Sequence, residues 1–249
     1  QKMIKDIEYI IKKIFISDSF LLKKRLKRAI KKSYEKELSI TGMFADQNKD
    51  AVDVGVYRGV YSYKLSKEFK NIYSFEPNPL IFPFLKKNLP KIINNIKLYN
   101  CALSDKEGFA ELKIPLRSKS FFKQNYENLY QLGAASIHKE KSFEKFHTVK
   151  VQKHKLDDLL LNKNIGFIKI DVEGHEKEVI DGSRNIITKN RPTLLVEIEE
   201  RHSKKRVVDT INYINKLGYK SYFLLGNELI ETQKLTTFKS VNNFIFKSQ

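Results

Sequence analysis

Short apolar runs alternate with amphipathic segments along most of the chain from Ala51 onward. The runs are four to eight residues long and rich in β-branched and aromatic side chains, which is typical of buried strands. They lie at 51–54, 72–75, 96–103, 167–170 and 194–198. Between them, apolar residues recur at helical spacing, as in Tyr61, Leu65 and Phe69. This alternation predicts an α/β fold with a largely parallel sheet.

Near the carboxyl terminus, the pattern predicts that the alternation of strands and helices ends. Residues 204–217 have the pattern of a helix that ends at Gly218. Two closing strands are predicted at 219–225 and 244–246, with residues 227–228 in the turn of an intervening excursion. We therefore expect these strands to complete the same sheet.

Two segments in the middle of the chain depart from the alternating pattern. Residues 107–115 predict an added β-ribbon. Residues 117–148 lack a clear period, and a loop of this length inside a compact domain is usually a lid or a binding loop. We expect the pocket of an acceptor substrate to be built largely from this loop.

The pattern of the amino-terminal residues predicts helices that are separate from the α/β part of the chain. Residues 3–38 contain an isoleucine stripe, followed by a segment with seven lysines and arginines around Leu22 and Leu26. We predict an N-terminal helical extension over 1–45 and a main domain over 46–249. A basic amphipathic helix can bind an anionic membrane surface, which makes residues 1–38 a candidate for peripheral membrane contact. Packing on the chain's own domain, or on a second subunit of a homo-oligomer, accounts for the same stripe.

Composition narrows the class of protein. The net charge of +18 raises the question of nucleic acid or anionic membrane as a partner. The frequent Lys, Ile, Asn, Phe and Tyr all have AT-rich codons, so we attribute most of the charge to composition bias and do not expect nucleic acid as the partner. The single Cys101 excludes an internal disulfide and fits a reducing, cytoplasmic compartment. No apolar run reaches eighteen residues, so no membrane span is predicted.

The first strand and the turn after it predict a ligand site. Gly55 and Gly59 follow the strand four residues apart, which matches neither the three-glycine dinucleotide pattern nor the phosphate loop. Asp53, just before the turn, would repel a pyrophosphate but suits an ammonium group. S-adenosylmethionine has an ammonium and a sulfonium and no phosphate, so it is the better match. Only glycine at position 55 would let such a ligand come close to the backbone.

The ends of the next two strands extend this site. Glu76 ends the second strand about seventeen residues past Gly59, where an acidic side chain can accept both ribose hydroxyls. A solvated turn carboxylate is the alternative. The third strand ends at Ala102 and Leu103, which are predicted to line an adenine pocket. Cys101 is expected to be a small buried side chain and not a nucleophile.

The densest set of ionisable groups follows the strand at 167–170. Asp171 stands at its tip, and Glu173, His175 and Glu176 crowd the next turn. Such a set is unfavourable unless a cation or a proton transfer needs it. A divalent metal site and a solvated helix N-terminus are the alternatives. Glu197, near the end of the next strand, is predicted to point into the same crevice.

Four motifs together resemble the FkbM-type S-adenosylmethionine-dependent methyltransferases from about Asp53 to Phe246. They are Val52-Asp53-Val54-Gly55 with Gly59 and Tyr61-Ser62, Phe75-Glu76-Pro77-Asn78-Pro79, Ile168-Lys169-Ile170-Asp171-Val172-Glu173-Gly174-His175-Glu176, and Leu195-Val196-Glu197-Ile198. The resemblance implies a Rossmann-like doubly wound sheet of seven strands with an antiparallel last strand. It also implies S-adenosylmethionine as cofactor and O-methylation of a hydroxyl on a sugar, polysaccharide or other small molecule.

We hypothesise roles for particular residues from their predicted positions and from the resemblance together. The cofactor-binding set is Asp53, Val54, Gly55, Tyr57, Gly59, Tyr61, Ser62, Glu76, Pro77, Ala102, Leu103 and Asp171. The catalytic set is Asp171, Glu173, His175 and Glu197, with Asp171 next to the methyl group and the other three as candidate bases. No metal ligand is assigned.

One departure from the family pattern bears on activity. The family commonly has Ala-Asn after the first glycine, where this chain has Val56-Tyr57. Activity is therefore a weaker expectation than cofactor binding, and a cofactor-binding but catalytically degenerate domain acting in assembly stays open as an alternative. A nucleic-acid methyltransferase is a second alternative, supported by the net charge alone. The nucleic-acid alternative is weakened because no strand in this sequence is followed by the Asn/Asp-Pro-Pro-aromatic signature typical of base methylation at an exocyclic amine.

Overall fold

The computed structural model describes residues 17–32, 36–115, 135, 146–199, 204–235 and 241–248. The isoleucine stripe predicted before residue 17 lies outside these ranges, as does most of the predicted loop at 117–148. The strands are β1 Asp50–Val54, β2 Ile72–Phe75, β3 Ile96–Tyr99, β4 Ala102–Leu103, β5 Gly108–Pro115, β6 Phe146–His154, β7 Ile165–Ile170, β8 Thr193–Glu197, β9 Tyr219–Leu225, β10 Glu228–Glu231 and β11 Asn243–Ser248.

Short helices connect the strands. They are α1 Asp18–Lys31, α2 Val60–Leu65, α3 Phe82–Asn88, α4 Leu156–Leu160, α5 Glu176–Asp181, α6 Arg184–Asn190 and α7 Lys204–Asn215. Single 3₁₀ turns occur at Lys36–Ser39, Thr41–Phe44, Leu89–Lys91 and Thr232–Lys234. The predicted α/β class is confirmed.

The central sheet has the order β10-β9-β11-β8-β7-β1-β2-β3. Strands β3, β2, β1, β7 and β8 are parallel, and β11 is antiparallel to both β8 and β9. The antiparallel last strand was predicted, but the count of seven was wrong, because the central sheet of the described residues has eight strands. The additional strand is β10, which pairs with β9 across a tight turn at Gly226. Its short, mixed sequence, Glu-Leu-Ile-Glu, carries little strand signal.

The predicted third strand over 96–103 is also divided in the structure. Its first part, β3, pairs with β2, whereas β4 pairs with β6 in a separate three-stranded sheet of order β4-β6-β5. The chain bends at Asn100, whose side-chain Nδ2 donates to the carbonyl oxygen of Glu76 at 2.8 Å. This bend carries Ala102 and Leu103 to the ends of the parallel strands.

The apolar core explains why the strands contain few polar positions. All five residues of β1 are buried, with Val52 and Val54 on one face of the sheet and Ala51 on the other. Helices cover both faces, as expected for a parallel sheet. Because side chains alternate between the faces, the even positions of β1 pack with Phe75 and Ile170 in the larger cluster.

Helix α1, the first described element of the chain, packs against the segments that follow β1 and β2. Ser17 caps α1 by accepting from the backbone N–H of Phe20 at 3.3 Å. Leu22 and Leu26 are buried in an apolar cluster with Leu85 and Leu89. Internal packing therefore accounts for the apolar stripe of this helix. In the ranges described above, no helix is both long enough and apolar enough to cross a membrane.

Candidate functional site

A cleft opens at the carboxyl ends of the parallel strands, a position typical of ligand sites in such sheets. Four chain segments meet there: the turn after β1, the turn after β2, the region around β4, and the turn after β7. The small sheet and Ala135 contribute to its wall. The lining residues are Val54, Gly55, Tyr57, Phe75, Glu76, Pro77, Cys101, Ala102, Leu103, Leu112, Ala135, Asp171, Val172, Glu173 and His175.

Most of the predicted cofactor residues lie in this lining, and four do not. Val54, Gly55, Tyr57, Glu76, Pro77, Ala102, Leu103 and Asp171 line the cleft. Asp53, Gly59, Tyr61 and Ser62 are buried elsewhere, on or beside α2. Of the predicted catalytic residues, Asp171, Glu173 and His175 line the cleft, and Glu197 lies in an adjoining recess.

Gly55 is required by the packing of two strand ends. Its φ is +86°, and a Cβ at this position would lie 1.9 Å from the carbonyl oxygen of Asp171. The sequence analysis predicted that Gly55 is needed to let a ligand approach the backbone. In the structure, a side chain at position 55 would instead collide with the backbone of Asp171. The ends of β1 and β7 therefore touch at the base of the cleft.

Glu76 is held by the backbone of two turns. Its Oε2 accepts from the N–H of Tyr57 at 2.8 Å, and its Oε1 accepts from the N–H of Asn78 at 2.9 Å. Burial raises the pKa of this carboxyl from its ordinary 4.5 to about 7, against the opposing effect of these hydrogen bonds. Each carboxylate oxygen retains a second lone pair, so Glu76 can still accept from ribose hydroxyls.

Asp53 belongs to a buried polar network and not to the cleft. Ser62 Oγ donates to its Oδ2 at 2.5 Å and lies 3.0 Å from the hydroxyl of Ser74. Complete burial raises the pKa of the Asp53 carboxyl, and the charge of Lys169 opposes that rise. In β1 the side chain of Asp53 points to the face opposite Val52 and Val54. The network therefore stabilises the turn after β1 from the opposite face of the sheet.

Lys169 is the residue that sequence analysis missed. It is 4% exposed, and its ammonium donates to Asp171 Oδ2 at 3.0 Å and to the carbonyl oxygen of Gly55 at 3.3 Å. The same ammonium lies 5.0 Å from the ring centre of Tyr61. One buried cation therefore joins the ends of β1 and β7. The available signal was a lysine within an otherwise apolar strand, because lysine is seldom buried without a partner.

His175 is held through both ring nitrogens. Its Nε2 lies 3.0 Å from Ser104 Oγ, and its Nδ1 lies 3.5 Å from Glu178 Oε2. Ser104 follows β4, so the ring connects the turn after β7 to the region of the smaller sheet. This arrangement fixes the orientation of the imidazole.

The turn after β7 also forms an acidic recess. Glu173 has a left-handed φ of +53°, and Gly174 donates its N–H to Glu176 Oε1 at 2.6 Å. The recess is lined by Asp171, Glu173, Gly174, Glu176, Glu197 and Glu199. Asp171 and Glu173 also line the cleft, so the two spaces adjoin. In the part of the chain that the structure describes, no three acidic, histidine or cysteine side chains are arranged to hold a metal ion.

The chemistry of the lining selects among nucleotide-like ligands. Its described residues include three carboxylates, Glu76, Asp171 and Glu173, and no lysine or arginine. A pyrophosphate would meet carboxylates and no cation among these lining residues, whereas a sulfonium or an ammonium would be attracted. Apolar side chains such as Leu103 and Leu112 suit an adenine ring. The fold and the site together define a protein that binds a positively charged nucleoside.

Comparison with known proteins agrees with this class. The methyltransferase FkbM domain matches residues 53–221, and the chain therefore belongs to the FkbM methyltransferase family. S-adenosylmethionine is accordingly its cofactor.

Individual relatives are distant. The chain is 27% identical over 157 residues to methyltransferase sdnD of Sordaria araneosa, and the match covers 54% of this chain and 60% of that protein. The chain thus spans less than two thirds of this relative.

Two solved structures share the fold. Methyltransferase FkbM from Methylobacillus flagellatus has a TM-score of 0.52 at 16% identity, covering 80% of this chain and 44% of that one. A methyltransferase of Streptococcus mutans, solved in complex with SAH, has a TM-score of 0.50 at 11% identity, covering 86% and 96%.

Proposed function

We propose that this methyltransferase acts on a hydroxyl oxygen of a neutral, polyhydroxylated acceptor such as a sugar, a polysaccharide or a related small molecule. The observation that carries the proposal is the carboxylate cluster of the recess, which meets the cleft at its edge. Its five carboxylates, from Asp171 to Glu199, adjoin the cofactor cleft through two shared residues.

The charge of the recess favours some acceptors over others. Carboxylates accept hydrogen bonds from hydroxyl groups, and a polyol can supply several at once. A phosphate or a carboxylate on the acceptor would instead be repelled. A nucleic-acid backbone is therefore a poor substrate for this site, and a neutral glycan is a good one.

Different residues of the cleft have different roles in the proposed reaction. When bound, S-adenosylmethionine supplies an electrophilic methyl carbon on a positively charged sulfur. Glu76 would accept from the ribose hydroxyls of the bound cofactor, and Lys169 holds Asp171 in place at the end of β7. Glu173 lines both the cleft and the recess, which makes its carboxylate the best-placed group to accept the hydroxyl proton. His175 and Glu197 each line only one of these spaces.

The test uses the methyl-labelled cofactor with separated fractions of neutral glycans, small polyols, lipids and RNA. We expect label in the hydroxyl-rich neutral fractions. Glu173→Gln is expected to lower the transfer rate by a factor on the order of 100 or more while SAH binding is retained. Glu228→Gln, at an exposed position on β10, is the matched control and should transfer normally. Label confined to RNA would contradict the proposal.

A further inference from the structure

The positive charge of this chain is concentrated on helix α1. Residues 17–32 contain seven lysines and arginines and one acidic residue, so they carry a net +6 of the total +18. Lysine and arginine make up 47 of the 249 residues overall, and acidic residues make up 29. A codon bias raises lysine along the whole chain, but it does not concentrate seven basic residues in one segment of sixteen. The charge of α1 therefore needs a local explanation.

Packing fixes the direction in which these cations point. Leu22 and Leu26 are 6% and 1% exposed, because they are buried against the segment from Ile81 to Ile93. All seven basic side chains of residues 17–32 are exposed. Asp18 forms a 3.8 Å ion pair with Lys87. Further exposed lysines lie on the neighbouring helix and the 3₁₀ turn after it: Lys86, Lys87 and Lys91.

Large apolar side chains are exposed on the same part of the molecule. Of the nine that the described residues expose, four lie on α1 or on segments that meet its apolar cluster. They are Phe20 at 59%, Leu80 and Phe84 at 37%, and Tyr57 at 36%. Aromatic and aliphatic groups beside a row of cations are typical of surfaces that lie at a membrane interface.

This surface stands next to the cleft. The apolar cluster under α1 includes Val56, which directly follows Gly55, and Ile81, which lies in the segment after Pro77. The turns that form one wall of the cleft therefore also support the basic helix. A surface that binds α1 would hold the cleft close to it.

We propose that the exposed face of α1, together with Phe20, Leu80 and Phe84, docks this protein on a bilayer that contains anionic lipids. Each lysine or arginine near such a surface is attracted by the negative headgroups, and the exposed rings enter the interfacial layer. Nucleic acid fits the observations less well. The cations lie along one convex helix and not in a groove, and the recess beside the cleft is acidic.

The experiment is co-sedimentation of the full chain with vesicles of phosphatidylcholine alone and of phosphatidylcholine with phosphatidylglycerol in equal parts. The variant combines Lys23→Gln, Lys24→Gln, Lys27→Gln and Arg28→Gln. Its control removes the same charge from exposed sites elsewhere, with Lys189→Gln, Lys216→Gln, Lys220→Gln and Lys234→Gln. We expect binding only to the anionic vesicles, weakened on the order of a hundredfold by the α1 variant and little by the control.

A second pair of variants tests the apolar part of the surface. Phe20→Ser should reduce vesicle binding severalfold, and Phe146→Ser, at a 42% exposed ring on β6, should not. Equal loss in the two charge variants would mean that net charge alone attracts the protein, and would overturn the proposal. So would RNA binding that competes with the vesicles and depends on the same four cations.

Discussion

Tyr57 occupies a backbone conformation that tyrosine seldom adopts. Its φ is +48°, in the left-handed region, where asparagine is enriched and most side chains are strained. This is also the position at which the family commonly has asparagine. The strain is held in place by the hydrogen bond from the Tyr57 N–H to Glu76.

Tyr57→Asn should therefore stabilise the folded protein. We expect a gain of about 1 kcal/mol in the free energy of unfolding, since asparagine tolerates the left-handed conformation. Tyr57→Ala is the control, because it removes the same ring without that tolerance. Chemical denaturation measures both, and equal stabilities for the two variants would refute the conformational explanation.

Glu76 gives the site a pH dependence. Its folded pKa of about 7 exceeds its ordinary 4.5, so between these values the folded state holds a proton that the unfolded chain has lost. The group therefore favours folding at acid pH, and this contribution is lost as the pH rises to about 7. The ionised form, by contrast, is the better acceptor for ribose hydroxyls.

We accordingly expect SAH affinity to rise about tenfold between about pH 6 and about pH 8 as Glu76 ionises. Titration calorimetry across this range gives the dissociation constants. Glu76→Gln should bind weakly with no such rise, because its amide cannot ionise. A wild-type affinity that is flat with pH would show that Glu76 does not contact the ligand.

At the scale of elements, the cleft depends on how the ends of β1 and β7 meet. Gly55→Ala would place a methyl group against the Asp171 carbonyl, so one backbone segment must move. We expect a loss of stability above about 3 kcal/mol. Gly226→Ala is the matched control, since Gly226 also has a positive φ but nothing within 4 Å of the added atom. It should cost about 1 kcal/mol, and similar losses at both sites in thermal unfolding would contradict the account.

Lys169 joins the same two strand ends through its charge. Lys169→Met leaves Asp53 and Asp171 without their cation, and breaking such a buried pair costs about 3–5 kcal/mol. The more negative site should favour the positive cofactor, so the variant is expected to lose affinity for SAH more than for S-adenosylmethionine. Lys177→Met, on the exposed side of α5, is the control. Equal losses for both ligands would indicate a structural role alone.

Sequence patterns located the strand ends well and the side-chain directions less well. Glu76 and Asp171 were predicted at strand tips, and the structure brings both into one cleft. Asp53 was predicted there too, but strict alternation along β1 turns it to the opposite face from Val54. Lys169 was not predicted as a site residue, because its apolar neighbours dominate the hydrophobic pattern of the strand. Contacts between distant strands, such as that of Gly55 with Asp171, have no local signal at all.

At the scale of the whole molecule, charge is separated between two regions. A basic helix lies beside one wall of the cleft, and an acidic recess lies beyond the turn after β7. The net charge of +18 does not reveal this separation, because it is summed over the whole chain. The sequence predicted both charged segments, but only the fold shows that the apolar stripe of α1 is buried and that its cations point outward.

The central claim is that the carboxylate-lined cleft at the ends of β1, β2 and β7 binds S-adenosylmethionine. Its most direct test is calorimetric titration of SAH into the wild-type chain, into Glu76→Ala and into the exposed control Glu228→Ala. The account predicts saturable binding of one molecule per chain, abolished by Glu76→Ala and retained by the control. Absence of binding to folded wild-type protein, or binding that Glu76→Ala leaves unchanged, would contradict it.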